Sequence, residues 1–81
     1  MENLSDSQYR RRLIARVEAL RMNAGMTRHA FHQQIGPVAS ECWINFTTLS
    51  EEEAWHHFCL KGVSRIGKLF GVGADLLQFK S

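Results

Sequence analysis

The chain has 81 residues, 44% of them hydrophobic and 22% charged, which predicts one small globular domain rather than a disordered or membrane chain. No apolar stretch approaches the ~20 residues of a transmembrane helix, and the first residues lack the apolar core of a secretory signal, so we expect a cytoplasmic protein without a membrane span. The formal net charge is only +2, and two cysteines are too few for a disulfide framework, so we expect Cys42 and Cys59 to be reduced.

A first helix is predicted from about Ser7 to Met22, with Ser5, Asp6 and Ser7 as candidate N-caps. Its apolar residues recur at spacings of four, four and three, which places them on one face: Tyr9, Leu13, Val17 and Leu20. Gly25 favours the left-handed conformation that ends helices. Residues 1–35 contain six arginines against three acids, whereas residues 36–60 contain four acids and no Lys or Arg. Arginine-rich helices commonly contact phosphate, although an ordinary solvated face explains the same pattern.

A second helix is predicted from Thr27, its N-cap, to Ile35, with Met26 and Phe31 at the spacing of a hydrophobic staple. Gly36 ends this helix, and Pro37 prevents its continuation because proline lacks an N–H. The next helix must therefore start in a new direction.

The start of the third helix is open between two alternatives. Ser40 is a suitable N-cap for a helix ending at Thr48, with Cys42, Trp43 and Phe46 facing inward and Glu41, Ile44, Asn45 and Thr48 facing outward. Alternatively, Ser50 to Glu53 has the form of a capping box, with Leu49 and Ala54 as staple, which opens a helix that buries Ala54, Trp55 and Phe58. His56 and His57 face away from that core. The three adjacent acids of the second candidate would repel phosphate, which favours the first as a DNA-contacting helix.

The closing segment has helical spacing and ends at Gly71, after which Asp75 is a candidate N-cap for a final turn. The apolar residues of the helix are Leu60, Val63, Ile66, Leu69 and Phe70, and those of the final turn are Leu76, Leu77 and Phe79. Gly62 and Gly67 weaken this helix locally. Close approach of a neighbouring backbone would explain both glycines, and Gly62 is alternatively a boundary between two helices. The fold class is therefore all-α, with about five or six short helices and no strand.

The segment ARVEALRMNAGMTRHAFHQQIG resembles the first two helices of the Xre-type helix-turn-helix regulators, which include lambda repressor and Cro, with Gly36 at the place of the motif glycine. The segment RIGKLFGVGADLL resembles the closing part of the same family. The resemblance implies a compact lambda repressor-like bundle whose third helix enters the DNA major groove, and a homodimer on a palindromic operator. His32 replaces the family's small alanine between the two motif helices. The chain also has extra residues somewhere in 37–58, which leaves either about 40–48 or about 50–60 as the groove-entering helix.

The resemblance implies phosphate contacts from the start of the second helix and base contacts from the third. We expect the former from Arg28, His29 and Gln33, and the latter from Ser40, Glu41, Asn45 and Thr48. The chemistry suits these roles because Asn pairs with adenine, Glu accepts from cytosine N4, and Ser or Thr bonds either base or phosphate. Ordinary exposed polar residues are the competing interpretation for each. A dimer interface is expected at Leu76, Leu77 and Phe79. The competing interpretation is that these residues pack on the protein's own core.

A zinc site is not expected, because the spacing of His32, Cys42, His56, His57 and Cys59 matches no common zinc finger. The sequence contains no phosphate loop and no paired catalytic carboxylates, so we predict no enzyme, no cofactor and no small-molecule substrate. The functional hypothesis is a cytoplasmic transcriptional repressor of phage or plasmid origin that binds double-stranded operator DNA. The alternative is a small helical protein-binding module, an inhibitor or accessory protein that does not bind DNA specifically.

Overall fold

Five α-helices and one 3-10 helix form the described part of the chain, residues 5–73 and Leu76 of a computed structural model. The helices are α1 (Asp6–Asn23), α2 (Arg28–Ile35), α3 (Pro37–Thr48), α4 (Glu51–Ala54) and α5 (Leu60–Leu69), and the 3-10 helix (Trp55–His57) follows α4. No strand occurs in these residues, which confirms the all-α prediction. None of the described helices is long and apolar enough to cross a membrane.

The first helix forms where the sequence predicts it, extended by one residue at each end. Ser5 is its N-cap in a capping box, since the Ser5 hydroxyl accepts from the Gln8 amide at 3.2 Å and the Gln8 side chain accepts from the Ser5 amide at 3.0 Å. Tyr9, Leu13 and Val17 are buried, as their spacing predicts. Gly25 then turns the chain with φ +67°.

The connection between α2 and α3 is a single residue, Gly36, whose φ of +90° favours glycine. Thr27 caps α2 as predicted, accepting from the Ala30 amide at 3.1 Å. The prediction that Ser40 caps the third helix is wrong, because α3 already begins at Pro37. Proline ends α2, yet it also suits the first position of α3, where an N–H has no intrahelical partner and the fixed φ is already helical.

The second candidate helix, predicted from Ser50, does not extend as one element. It is an α-helical turn of four residues followed by the 3-10 helix, and Ser50 makes no side-chain capping bond. The predicted capping box is therefore wrong. Trp55 and Phe58 nevertheless pack as predicted, with ring centroids 5.2 Å and 5.3 Å from that of Phe46. This stretch is thus shorter and less regular than the continuous twelve-residue α3.

The last helix packs against the rest through its glycines as well as its apolar residues. Val63 and Ile66 are buried as predicted, but Leu60 is 60% exposed, which corrects its assignment to the core. A Cβ on Gly67 would lie 2.4 Å from the carbonyl oxygen of Gly73, so the two backbones are in direct contact. Gly62 lies inside α5 rather than at a helix boundary, and a Cβ there would meet Ala39 of α3 at 3.6 Å.

The core is built around α3, which packs against α2 on one flank and α5 on the other. Its buried hydrophobic residues are Tyr9, Leu13, Val17, Phe31, Ile35, Ala39, Trp43, Phe46, Ala54, Val63, Ile66 and Leu76. Because neighbours cover both flanks of α3 but not its remaining face, that face is at the surface.

Candidate nucleic-acid interface

The outer face of α3 consists of Glu41, Ile44 and Thr48, which are all exposed. Ala39, Trp43 and Phe46 are buried on the opposite side. At about 100° per residue, these two sets lie on opposite sides of the helix axis. The structure thus brings two of the four predicted base-contacting residues, Glu41 and Thr48, onto one exposed face together with Ile44, which is 43% exposed.

Asn45 and Ser40, the other two predicted base-contacting residues, lie at the margins of this face. Asn45 is half-buried, with its Nδ2 atom 3.5 Å from Nδ1 of His57. Ser40 is half-buried on the flank facing α2, and its hydroxyl is hydrogen-bonded to Nδ1 of His32 at 2.7 Å. His32 therefore bridges α2 and α3 through this hydrogen bond. Ser40 makes a contact within the fold, and Asn45 remains partly accessible.

The three predicted phosphate-contacting residues are all exposed on α2. Arg28 is the first residue of the helix, its side chain is 77% exposed, and its guanidinium lies 3.9 Å from the Glu18 carboxylate. A pair this exposed contributes little to stability, so the arginine is free to exchange partners. His29 and Gln33 line a shallow depression with Gly36 and Pro37 at the α2–α3 turn. The predicted contacts thus border α3 on its α2 side.

Several α1 arginines, by contrast, are engaged within the protein. Arg10 donates to the main-chain oxygens of Phe46 and Leu49 and to the Glu51 carboxylate, at 2.9, 2.8 and 2.9 Å. Arg21 donates to the Met26 oxygen at 2.8 Å and to Glu18 at 2.9 Å. Arg10 and Arg21 thus have structural roles within the protein. Arg11 and Arg12 are exposed, so an ordinary solvated helix face accounts for them.

A cationic surface that the sequence pattern did not single out lies on α5. Lys61, Arg65 and Lys68 are exposed and line one side of the helix with Leu60 and Ser64. The signal was present in their spacing of four and three residues, which is that of one helix face. It was overlooked because the surrounding apolar residues account for the helix by themselves.

A groove of about 420 Å³ separates α3 from α1 and α2. Its wall includes the apolar residues Ile14, Phe31, Trp43 and Ile44, together with the polar or charged Glu18, Arg28, His32, Thr47 and Thr48. The outer face of α3 is thus bordered on its α2 side by an apolar groove, to which it contributes Ile44.

The two thiols lie on either side of a small apolar pocket between α3 and α5, next to His57. Both are free and half-buried, and burial, followed by the neighbouring Cys59, raises the pKa of Cys42. Within the described residues no group of three His, Cys, Asp or Glu side chains is arranged to hold a metal ion.

The predicted dimer-interface residues are only partly within the described chain. Leu76 is fully buried in the protein's own core, so it has no surface to offer a second copy and its assignment to an interface is corrected. The physical reason is that the Leu76 side chain packs against the core instead of facing solvent. Leu77 and Phe79 lie outside the described residues.

Comparison with known proteins adds no family to this description. No protein-family model matches the chain, and neither a characterised protein nor a solved structure is significantly similar to it. The inference of function therefore depends on the geometry and charge of the α2–α3 surface.

Proposed function

We propose that the protein is a sequence-specific DNA-binding transcriptional regulator, a repressor acting in the cytoplasm, in which α3 enters the major groove. The observation that supports it is the uncovered outer face of α3. The helix α3 follows α2 after a one-residue turn, and α2 begins with the exposed Arg28. A helix held from behind and bordered by an exposed cation is the arrangement by which helix-turn-helix proteins contact DNA.

The side chains on this face have the chemistry for reading bases. The major groove is about 12 Å wide and admits one α-helix, whose outer residues then meet the base edges. Glu41 would accept from cytosine N4, Ile44 would contact a thymine methyl group, and Thr48 would bond a base or a phosphate. Asn45, at the margin, would pair with adenine after giving up its contact with His57. Arg28, His29 and Gln33 would bind the phosphates on the α2 side.

The proposal includes homodimerisation, because one module of this size contacts about half of a typical operator. A second copy placed one helical turn away increases affinity and requires a palindromic site. Repression is preferred over activation because steric exclusion of polymerase needs only a DNA-binding unit.

The testing experiment is selection of duplexes from a random library with the purified protein, followed by titration of the selected sequence and of DNA upstream of the gene. Titrations at about 50 mM and about 200 mM salt with nonspecific competitor separate specific binding from charge attraction. We expect a competitor-resistant, palindromic site. Asn45→Ala should weaken it by about 5-fold or more, whereas the control His56→Ala, on the neighbouring 3-10 helix, should not. Enrichment of no sequence would refute the proposal.

The second candidate is a protein-binding module, and the groove beside α3 is the observation that favours it. Its apolar wall and its charged rim of Glu18 and Arg28 suit the apolar face of a partner's amphipathic helix. The absence of DNA binding at low salt, together with loss of a protein partner on Ile44→Asp, would favour this candidate.

A further inference from the structure

The cationic surface of α5 consists of Lys61, Arg65 and Lys68 and has no evident role in the fold. None of the three forms an ion pair with any residue of the described chain. Cations spaced along one helix face without acids between them repel one another, so the surface costs stability rather than providing it. An external anionic partner would remove that cost.

The position of this surface relative to α3 identifies the partner. Lys61 and Arg65 line one depression with Val38 and Ala39 at the beginning of α3. Arg65 also reaches the turn itself, since its Nη1 atom lies 3.4 Å from where a Cβ on Gly36 would be. The cations therefore begin at the end of α3 where helix-turn-helix proteins contact bases.

Arg28 and the cationic surface of α5 lie on opposite flanks of α3. Ser40 and Thr47 point toward α2, and Val38 and Cys42 point toward α5. At about 100° per residue these pairs are separated by roughly half a turn of the helix, with the outer face between them. Arg28 borders one side of the outer face, and Lys61 and Arg65 border the other.

We infer that Lys61, Arg65 and Lys68 of α5 bind the phosphate backbone of the DNA strand that lies across the major groove from the one contacted by α2. A helix in the major groove lies between two sugar–phosphate backbones, so a protein that holds it there gains from cations on both sides. This inference rests on the proposed function, because α3 must be in the groove for α5 to reach the far strand.

Self-association through this surface is disfavoured by its charge. A twofold contact would place the same patch on both subunits, and three cations would then face three cations. A polyanion has the complementary charge, and duplex DNA has phosphates at the regular spacing that a helix face can follow.

The test is the salt dependence of binding to a 30-base-pair duplex of random sequence, because phosphate contacts do not depend on sequence. Each lost phosphate contact lowers the slope of log K against log salt by about 0.9, so Lys61→Gln/Arg65→Gln should lower it by about 1.8. The matched control is Arg11→Gln/Arg12→Gln, which removes the same charge from the exposed side of α1. Glutamine is a good helix former, and thermal melts monitored by circular dichroism verify that each variant folds.

The outcomes separate this inference from the proposed function. A slope that is unchanged in the α5 variant, or lowered equally in the α1 control, overturns the α5 contact even where selection has yielded an operator. A lowered slope in the α5 variant alone supports a phosphate contact by α5. Where selection also enriches no sequence, the proposed specific regulator fails, and the placement of α5 on the strand opposite α2 is overturned with it. A wild-type protein that binds no duplex at low salt but binds anionic lipid vesicles overturns both.

Discussion

Arg10 of α1 donates from its guanidinium Nε to the main-chain oxygen of Phe46 near the end of α3, at 2.9 Å. The same side chain donates to the Leu49 oxygen at 2.8 Å and to the Glu51 carboxylate at 2.9 Å, and is only 13% exposed. The last carbonyls of a helix have no intrahelical partner, so Arg10 satisfies groups that α3 leaves open. It thereby fixes the end of α3 against α1 and the start of α4.

Replacing Arg10 by alanine should therefore destabilise the protein. Hydrogen bonds to a charged group contribute about 1.5–3 kcal/mol each, and partial solvent access after the substitution reduces the sum, so we expect a loss of about 2–3 kcal/mol. Urea unfolding followed by circular dichroism measures it. Arg12→Ala, an exposed position on the same helix, should change stability by less than about 0.5 kcal/mol. Equal effects of the two substitutions would show that the Arg10 contacts contribute nothing specific.

The glycines of α5 provide a matched pair with opposite expected outcomes. Gly67→Ala places a Cβ 2.4 Å from the Gly73 carbonyl oxygen, where only backbone movement relieves the overlap. Such overpacking costs about 1–3 kcal/mol, which exceeds the gain in helix propensity. Gly62→Ala meets Ala39 at an ordinary 3.6 Å, so the propensity gain of up to about 1 kcal/mol should prevail. Thermal unfolding of both variants tests this, and a stabilised Gly67→Ala protein would contradict the described close approach.

His32 makes stability depend on pH. Burial lowers its pKa, and the nearby cation of Arg28 lowers it further against the opposing effect of Glu18. The unfolded chain then binds more protons at this residue than the folded protein does, so stability rises with pH and is lost on acidification through the ordinary histidine range. Hydrogen bonds from Arg21 and Arg10 lower the pKa values of Glu18 and Glu51. The stability that these carboxylates contribute is lost only when they are protonated, at lower pH than the histidine range.

We therefore expect the melting temperature of the wild type to fall between about pH 7.5 and about pH 5.5, and to fall less in His32→Gln, which cannot titrate there. His29→Gln, an exposed neighbour on α2, serves as the control and should retain the wild-type dependence. Identical pH profiles for wild type and His32→Gln would show that protonation of His32 does not oppose folding.

Local signals in the sequence predict most of the helices but not their contacts. The Thr27 cap and the positive-φ glycines Gly25 and Gly36 fix α1 and α2 because each acts on adjacent residues. The predicted start of α3 at Ser40 is wrong because Pro37 both ends α2 and begins α3. The predicted capping box is wrong because Ser50 makes no side-chain capping bond. The adjacent Glu51 is instead held by Arg10, 41 positions away in the chain, and no local pattern contains that partner.

The candidate interface shows the same limit. Exposure of Glu41 and Thr48 follows from helical periodicity once α3 exists. The engagement of Ser40 by His32, and the placement of Arg65 beside Gly36, depend on how helices pack and have no sequence signal of their own. The placement of Arg28 and of the α5 cations on opposite flanks of α3 is therefore a property of the tertiary structure.

Glu41 is the residue that best tests whether α3 reads DNA, since it is the only charged side chain of that helix and lies on its outer face. Glu41→Gln removes a repulsion with phosphate, so affinity for a random duplex should rise. It also replaces an acceptor for cytosine N4 by an amide that prefers adenine, so selection should lose a cytosine at one position of each half-site, with discrimination reduced about 5-fold or more. Glu52→Gln, an exposed glutamate on α4, makes the same charge change. Its selected sequence should equal that of the wild type, and a Glu41→Gln protein that also selects the wild-type sequence would show that the outer face of α3 does not contact the bases.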